Sequence, residues 1–141
     1  MSQTAILYPV FAMFLLVSLV LLRMRSQRFA AVRQREVPVE YYRAFQDATE
    51  PEPLRVIARH FINLFEMPVL FYVTAVMIYV TRQTTPWLVG CAWLYVALRY
   101  VHTWIHLGRN DVIARFSAYF GSFAVLVVMW VTLLVQLLWE G

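Results

Sequence analysis

The sequence predicts an all-α integral membrane protein, a four-transmembrane-helix bundle built as a single membrane domain over residues 1–141. Hydrophobic residues make up 62% of the chain and charged residues only 14%, whereas soluble domains are roughly 45–50% apolar. Mean hydropathy is +0.63. Four apolar runs each approach the about 20 residues that carry a helix across a bilayer. The charges collect between those runs and concentrate in alternate loops.

The first span is expected at about residues 4–22. It has no charged segment before it and no small-residue cleavage site after it, so it reads as a span rather than a removable signal peptide. Its charges follow it, as Arg23, Arg25, Arg28, Arg33 and Arg35. The loop from about 23 to 52 begins basic and turns mixed, with Glu36, Glu40, Asp47, Glu50 and Glu52 among Tyr41, Tyr42 and Phe45. Arginines near anionic head groups and aromatics at the boundary suit an interfacial segment.

The second span is expected at about 61–80, continuing a helix that begins near Pro53, a residue favoured in a first helical turn. Pro68 interrupts it and predicts a kink. A turn over 81–85 is short enough to force an antiparallel third span at about 86–107, and the fourth follows at about 117–139. Trp87, Trp93, Trp104, Trp130 and Trp139 suit an interfacial belt.

Arginine supplies every side-chain cation, and ten of these residues lie in 23–59 and 109–115 while the opposite side has only Arg82. The positive-inside rule makes the arginine-rich loops cytoplasmic and puts both termini outside. The net charge of +4 therefore belongs to a membrane surface, and nucleic acid is not an expected partner. Composition and the lack of organelle signals point to a bacterial inner membrane. Cys91 stands alone in an apolar run, which excludes an internal disulfide and suits a packing role.

Two apolar stretches carry charge where lipid opposes it: Arg59-x3-Asn63-x2-Glu66 and Arg99-x2-His102-x3-His106. A charge in hydrocarbon costs roughly 2.5–3.5 kcal/mol even on the insertion scale. Both spacings place their residues on one helical stripe. The topology brings the stripes to the same cytoplasmic depth, with Arg23 closing span one and Arg115 preceding span four. A structural network with Glu66 paired to Arg99 is one reading. An anion site is another, because the arginines outnumber the carboxylate. His102, His106 and Glu66 are a conceivable metal set, but the arginines oppose a dication and no metal is expected. His60 is expected at the membrane boundary without a special duty.

The segment from Arg59 through Asn63 and Glu66 to Pro68 resembles the second-helix signature of the MAPEG family, the membrane-associated proteins of eicosanoid and glutathione metabolism. The stretch Arg99 to Gly108 is similar to the third helix of that family's prostaglandin-synthase branch, and Arg23-Met-Arg25 followed by Phe29-Ala30 to the end of its first helix. The resemblance implies a homotrimer that binds glutathione as co-substrate between subunits near the cytoplasmic face. It implies a transferase or peroxidase acting on a lipophilic electrophile or hydroperoxide drawn from the bilayer lipid. Arg23, Arg59, Asn63, Glu66, Arg99, His102 and His106 match or neighbour the family's glutathione contacts, and Arg115 its thiolate-activating arginine. Ile62, His106 and Phe116 replace an arginine, a tyrosine and a serine of the prostaglandin branch, which argues against prostaglandin isomerisation. A non-catalytic membrane subunit that keeps the fold is the alternative. A small four-helix exporter fits less well, since span one lacks the expected glutamate.

Overall fold

The computed structural model describes residues 1–44 and 50–140, and every regular element among them is helical. After a 3-10 turn over Gln3–Ile6, the elements are α1 (Leu7–Arg33), α2 (Tyr41–Ala44), α3 (Glu52–Asn63), α4 (Met67–Val80), α5 (Pro86–Leu107) and α6 (Val112–Glu140). Three helical stretches, Gln3–Arg33, Glu52–Val80 and Val112–Trp139, are long and apolar enough to cross a membrane. The segment expected as the third span is α5, whose 22 residues reach about 33 Å. It is more polar than the other three because Arg99, His102 and His106 interrupt its apolar run.

The first helix outruns the expected span by half its length, to Arg33. Met24, Gln27, Ala30 and the arginines are good helix formers, and no breaker intervenes before Pro38. It closes in a Schellman motif: Glu36 N–H donates to the Ala31 carbonyl at 2.9 Å and Arg35 N–H to Val32 at 3.0 Å, with Arg35 left-handed at φ 60. The expected 23–52 loop is therefore mostly helix at its start. At its far end Glu50 pairs with Arg28 at 3.4 Å, and the Arg28 guanidinium lies 5.2 Å from the Tyr42 ring centroid. Burial and the neighbouring Glu50 carboxylate raise the Tyr42 phenol above its ordinary pKa. Phe45 and Asp47, expected in the same interfacial segment, lie outside the described residues.

Span two is broken rather than merely kinked. Helix α3 stops at Asn63 and α4 starts at Met67, with residues 64–66 in a turn between them. Pro68 is the cause: it has no N–H to give the Leu64 carbonyl, and its ring crowds that oxygen.

Helix α5 packs on α1, α3 and α6, most extensively on α6. The shared core holds Met13, Leu16, Phe71, Ile78, Leu88, Tyr95, Leu126, Met129 and Leu133, and Phe71 stacks on Tyr95 with centroids 4.4 Å apart. Cys91 is buried in that core, as a packing residue should be. The outer faces are strongly apolar: Phe11, Phe14, Trp87, Trp104, Ile113 and Trp139 are all exposed, the pattern of helices whose solvent is lipid.

Candidate functional site

The two polar stripes meet. Arg99, on α5, is fully buried at 0% exposure. Its Nη2 donates to Asn63 Oδ1 at 2.7 Å, across to α3, and its guanidinium carbon lies 5.5 Å from the Tyr119 ring centroid on α6. Asn63 Nδ2 in turn donates to Glu66 Oε2 at 3.3 Å. The direct Glu66–Arg99 pair of the network reading is absent among the described residues; Asn63 stands between them as a neutral relay. Arg99 Nε and Nη1 are buried without hydrogen-bond partners, an uncommon state for donors of a charged group.

In front of this relay opens a cavity of about 640 Å³, lined in part by Arg55, Arg59, Asn63, Glu66, His106 and Arg115. That volume falls within the roughly 300–1,000 Å³ of ordinary small-molecule sites. Glu50 and Glu52 also reach its wall, so its lining is more evenly charged than the sequence suggests: three arginines face three glutamates. Arg99 and His102 lie behind the wall. Arg23 lines two neighbouring cavities instead, of about 360 and 440 Å³. The larger of these is chiefly apolar, running between α1 and α5 past Leu16, Val20, Tyr100 and Trp104.

Arg115 is held by the loop before it. Asp111 Oδ1 accepts from Ile113 N–H at 2.9 Å and from Ala114 N–H at 3.0 Å, capping α6. The helix thus starts five residues before the expected span, and Arg115 lies in its first turns. Its Nη1 donates to Asn110 Oδ1 at 2.6 Å, while its carbonyl accepts from His102 Nδ1 at 3.1 Å. Asn110, left-handed at φ 52, is a residue the sequence reading did not single out; asparagine just after a helix-ending glycine was its available signal.

His60 requires a correction. It is 0% exposed, and its Nδ1 lies 3.0 Å from His106 Nδ1 while its Nε2 donates to Thr103 Oγ1 at 2.9 Å. His60 is not idle because α3 is rotated so that Arg59 faces outward and His60 inward. The stripe Leu54, Ile57, His60 and Leu64, every member buried, was the signal, since its 3-3-4 spacing is that of an inward helix face. Tyr100, next to Arg99 on α5, is turned toward α1: its hydroxyl donates to the Ala12 carbonyl at 2.9 Å.

Long apolar helices, one of them broken, that bring buried arginine and histidine and a half-buried asparagine together define a membrane protein with a polar site among its helices. A model of the MAPEG family matches residues 6–135, and the chain belongs to that family. Comparison with curated proteins and with solved structures returned no match.

Proposed function

We propose that the protein is a membrane-bound, glutathione-dependent transferase or peroxidase acting on a lipophilic electrophile or hydroperoxide. The observation that carries this reading is Arg99, buried without a carboxylate partner and with two guanidinium nitrogens free, behind a cavity of mixed charge. A guanidinium in that state favours an anion brought within reach. Glutathione carries two carboxylates, one ammonium and a thiol, so a wall of alternating arginine and glutamate suits it better than a purely basic one.

In this reading Arg59 and Asn63 hold the carboxylates, with Arg99 adding its charge from behind Asn63, Glu66 takes the ammonium, and Arg23 serves the outer rim. Arg115 stabilises the thiolate, because a nearby cation lowers a thiol's pKa. His106 lies on the cavity wall to give a hydrogen bond, and His102 fixes the Arg115 backbone from behind. The apolar groove between α1 and α5 suits a lipophilic co-substrate entering from the bilayer. This reading takes α5 as a fourth span beside the three long apolar helices, and the arginine-rich loops support an orientation with both termini outside and the site near the cytoplasmic face; a bacterial inner membrane is the membrane proposed. A homotrimer is the assembly this reading proposes, supported by the family resemblance.

Calorimetric titration of detergent-purified protein with glutathione tests the site. Binding that is lost in Arg99→Ala and Asn63→Ala supports it. No heat at millimolar glutathione, from protein that remains folded, ends the glutathione reading.

A further inference from the structure

The chain has three histidines, and all three converge. His60, His102 and His106 are buried, and one ring nitrogen from each lies within 4.8 Å of the other two. Two come from α5 and one from α3, so the cluster depends on the tertiary fold and not on local spacing alone.

The hydrogen bonds around the cluster determine its protons. Thr103 Oγ1 donates to the Arg99 carbonyl at 2.9 Å, so its oxygen accepts from His60 Nε2–H. A neutral imidazole with its proton on Nε2 has a lone pair on Nδ1. His106 Nδ1–H therefore donates to His60 Nδ1. His102 Nδ1 faces a carbonyl, which only accepts, so that nitrogen carries the proton. The lone pair of His102 is then on Nε2, an atom that is buried and has no hydrogen-bond partner. His102 itself is only 4% exposed.

This is the outer arrangement of a metal site. A metal-bound imidazole donates its remaining N–H to a fixed oxygen, which orients the ring and strengthens its lone pair. His60 has such an oxygen in Thr103, and His102 has one in the Arg115 carbonyl. His106 needs only to move its proton from Nδ1 to Nε2. Two imidazole nitrogens on one tetrahedral zinc stand about 3.3–3.4 Å apart, and the His60–His106 pair is already at 3.0 Å. Closing the third ligand takes roughly 1–1.5 Å of side-chain movement to reach ordinary Zn–N geometry. The guanidiniums of Arg59, Arg99 and Arg115 stand nearby and oppose a cation, and their neutral partners Asn63 and Asn110 leave those charges in place, so the three imidazole lone pairs must outweigh that repulsion.

We infer that His60, His102 and His106 form a binding site for a divalent transition-metal ion of the zinc class, with three imidazole ligands and one open coordination position. Three neutral nitrogens suit zinc or cobalt, while calcium and magnesium prefer oxygen. The site shares His106 with the wall of the proposed glutathione cavity, but its test uses the metal alone.

Cobalt(II) is the probe, added to detergent-purified protein carrying no polyhistidine tag. The expected result is a tetrahedral visible absorption band that saturates at one cobalt per chain and is displaced by zinc. Thr103→Ala weakens cobalt binding about 10–100-fold, and His60→Gln or His102→Gln removes the band while the helical circular dichroism persists. Glu66→Gln, which removes the carboxylate assigned to the glutathione ammonium, leaves the band intact, so the two readings fail separately. No band at millimolar cobalt from folded wild-type protein overturns the inference. An undiminished band in folded His60→Gln or His102→Gln does the same. Should neither histidine variant fold, wild-type stoichiometry together with Thr103→Ala decides the matter.

Discussion

Arg99 and Asn63 join the two polar stripes through a 2.7 Å hydrogen bond between a buried guanidinium and a side-chain amide, beside a longer one of 3.5 Å to the Asn63 backbone carbonyl. The bond satisfies a donor of the arginine without cancelling its charge. A carboxylate in the same place would satisfy both, so the amide is the feature that leaves the site cationic.

Asn63→Asp is therefore predicted to keep the fold and to weaken glutathione binding by at least about tenfold, because it pairs the guanidinium internally. Asn63→Ala strands the guanidinium and is predicted to cost about 1.5–3 kcal/mol of stability. Thermal unfolding in detergent together with calorimetry separates the two variants. Equal glutathione affinity in wild type and Asn63→Asp would remove Arg99 from the site.

Pro68→Ala restores an N–H opposite the Leu64 carbonyl and permits α3 and α4 to merge. The melting temperature is expected to rise, while the cavity, which depends on the turn at 64–66, binds glutathione less tightly. A variant that binds as well as wild type would show that the break does not shape the site.

Asp111→Ala removes the cap of α6 and is predicted to cost about 1 kcal/mol. The loss falls on the first turns, where Arg115 sits, so turnover should decline more than glutathione affinity. Parallel measurement of KM and kcat checks this split.

Arg115→Ala is predicted to lower turnover by about 10²–10³-fold, the scale of losing one charge-stabilising donor in an active site. The bond from His102 goes to the Arg115 backbone, so the helix packing and the assembly state should survive. Size-exclusion chromatography beside the activity assay tests both halves of the statement.

Much of the fold was legible because lipid makes strong demands on sequence. The apolar runs, Pro68 and the two polar stripes placed the helices and their common polar end. The extension of α1 to Arg33 was less visible, because a row of arginines reads as loop when only hydropathy is weighed. Within the site, Arg59, Asn63, Glu66, His106 and Arg115 were found from spacing and resemblance, and the cavity gathers these five. The role of His60 was hidden by a rotation of α3 that sequence order next to Arg59 does not reveal. The negative side of the cavity was hidden as well, since Glu50 and Glu52 reach it from a chain segment that looked merely interfacial.

The break between α3 and α4 has an electrostatic consequence of its own. In an unbroken helix over the 29 residues from Glu52 to Val80, the macrodipole's partial charges would sit at its two ends, about 43 Å apart. The turn at 64–66 creates a second, positive helix terminus in the interior, at the first turn of α4. Glu66 occupies its N-cap position without a side-chain capping bond, its carboxylate accepting from Asn63 instead. Pro68 offers that turn no amide and Val69 N–H is taken by the Glu66 carbonyl at 3.3 Å, while the carbonyl end of α3 lies alongside, so the break brings opposite helix-end charges together at the depth of the cavity.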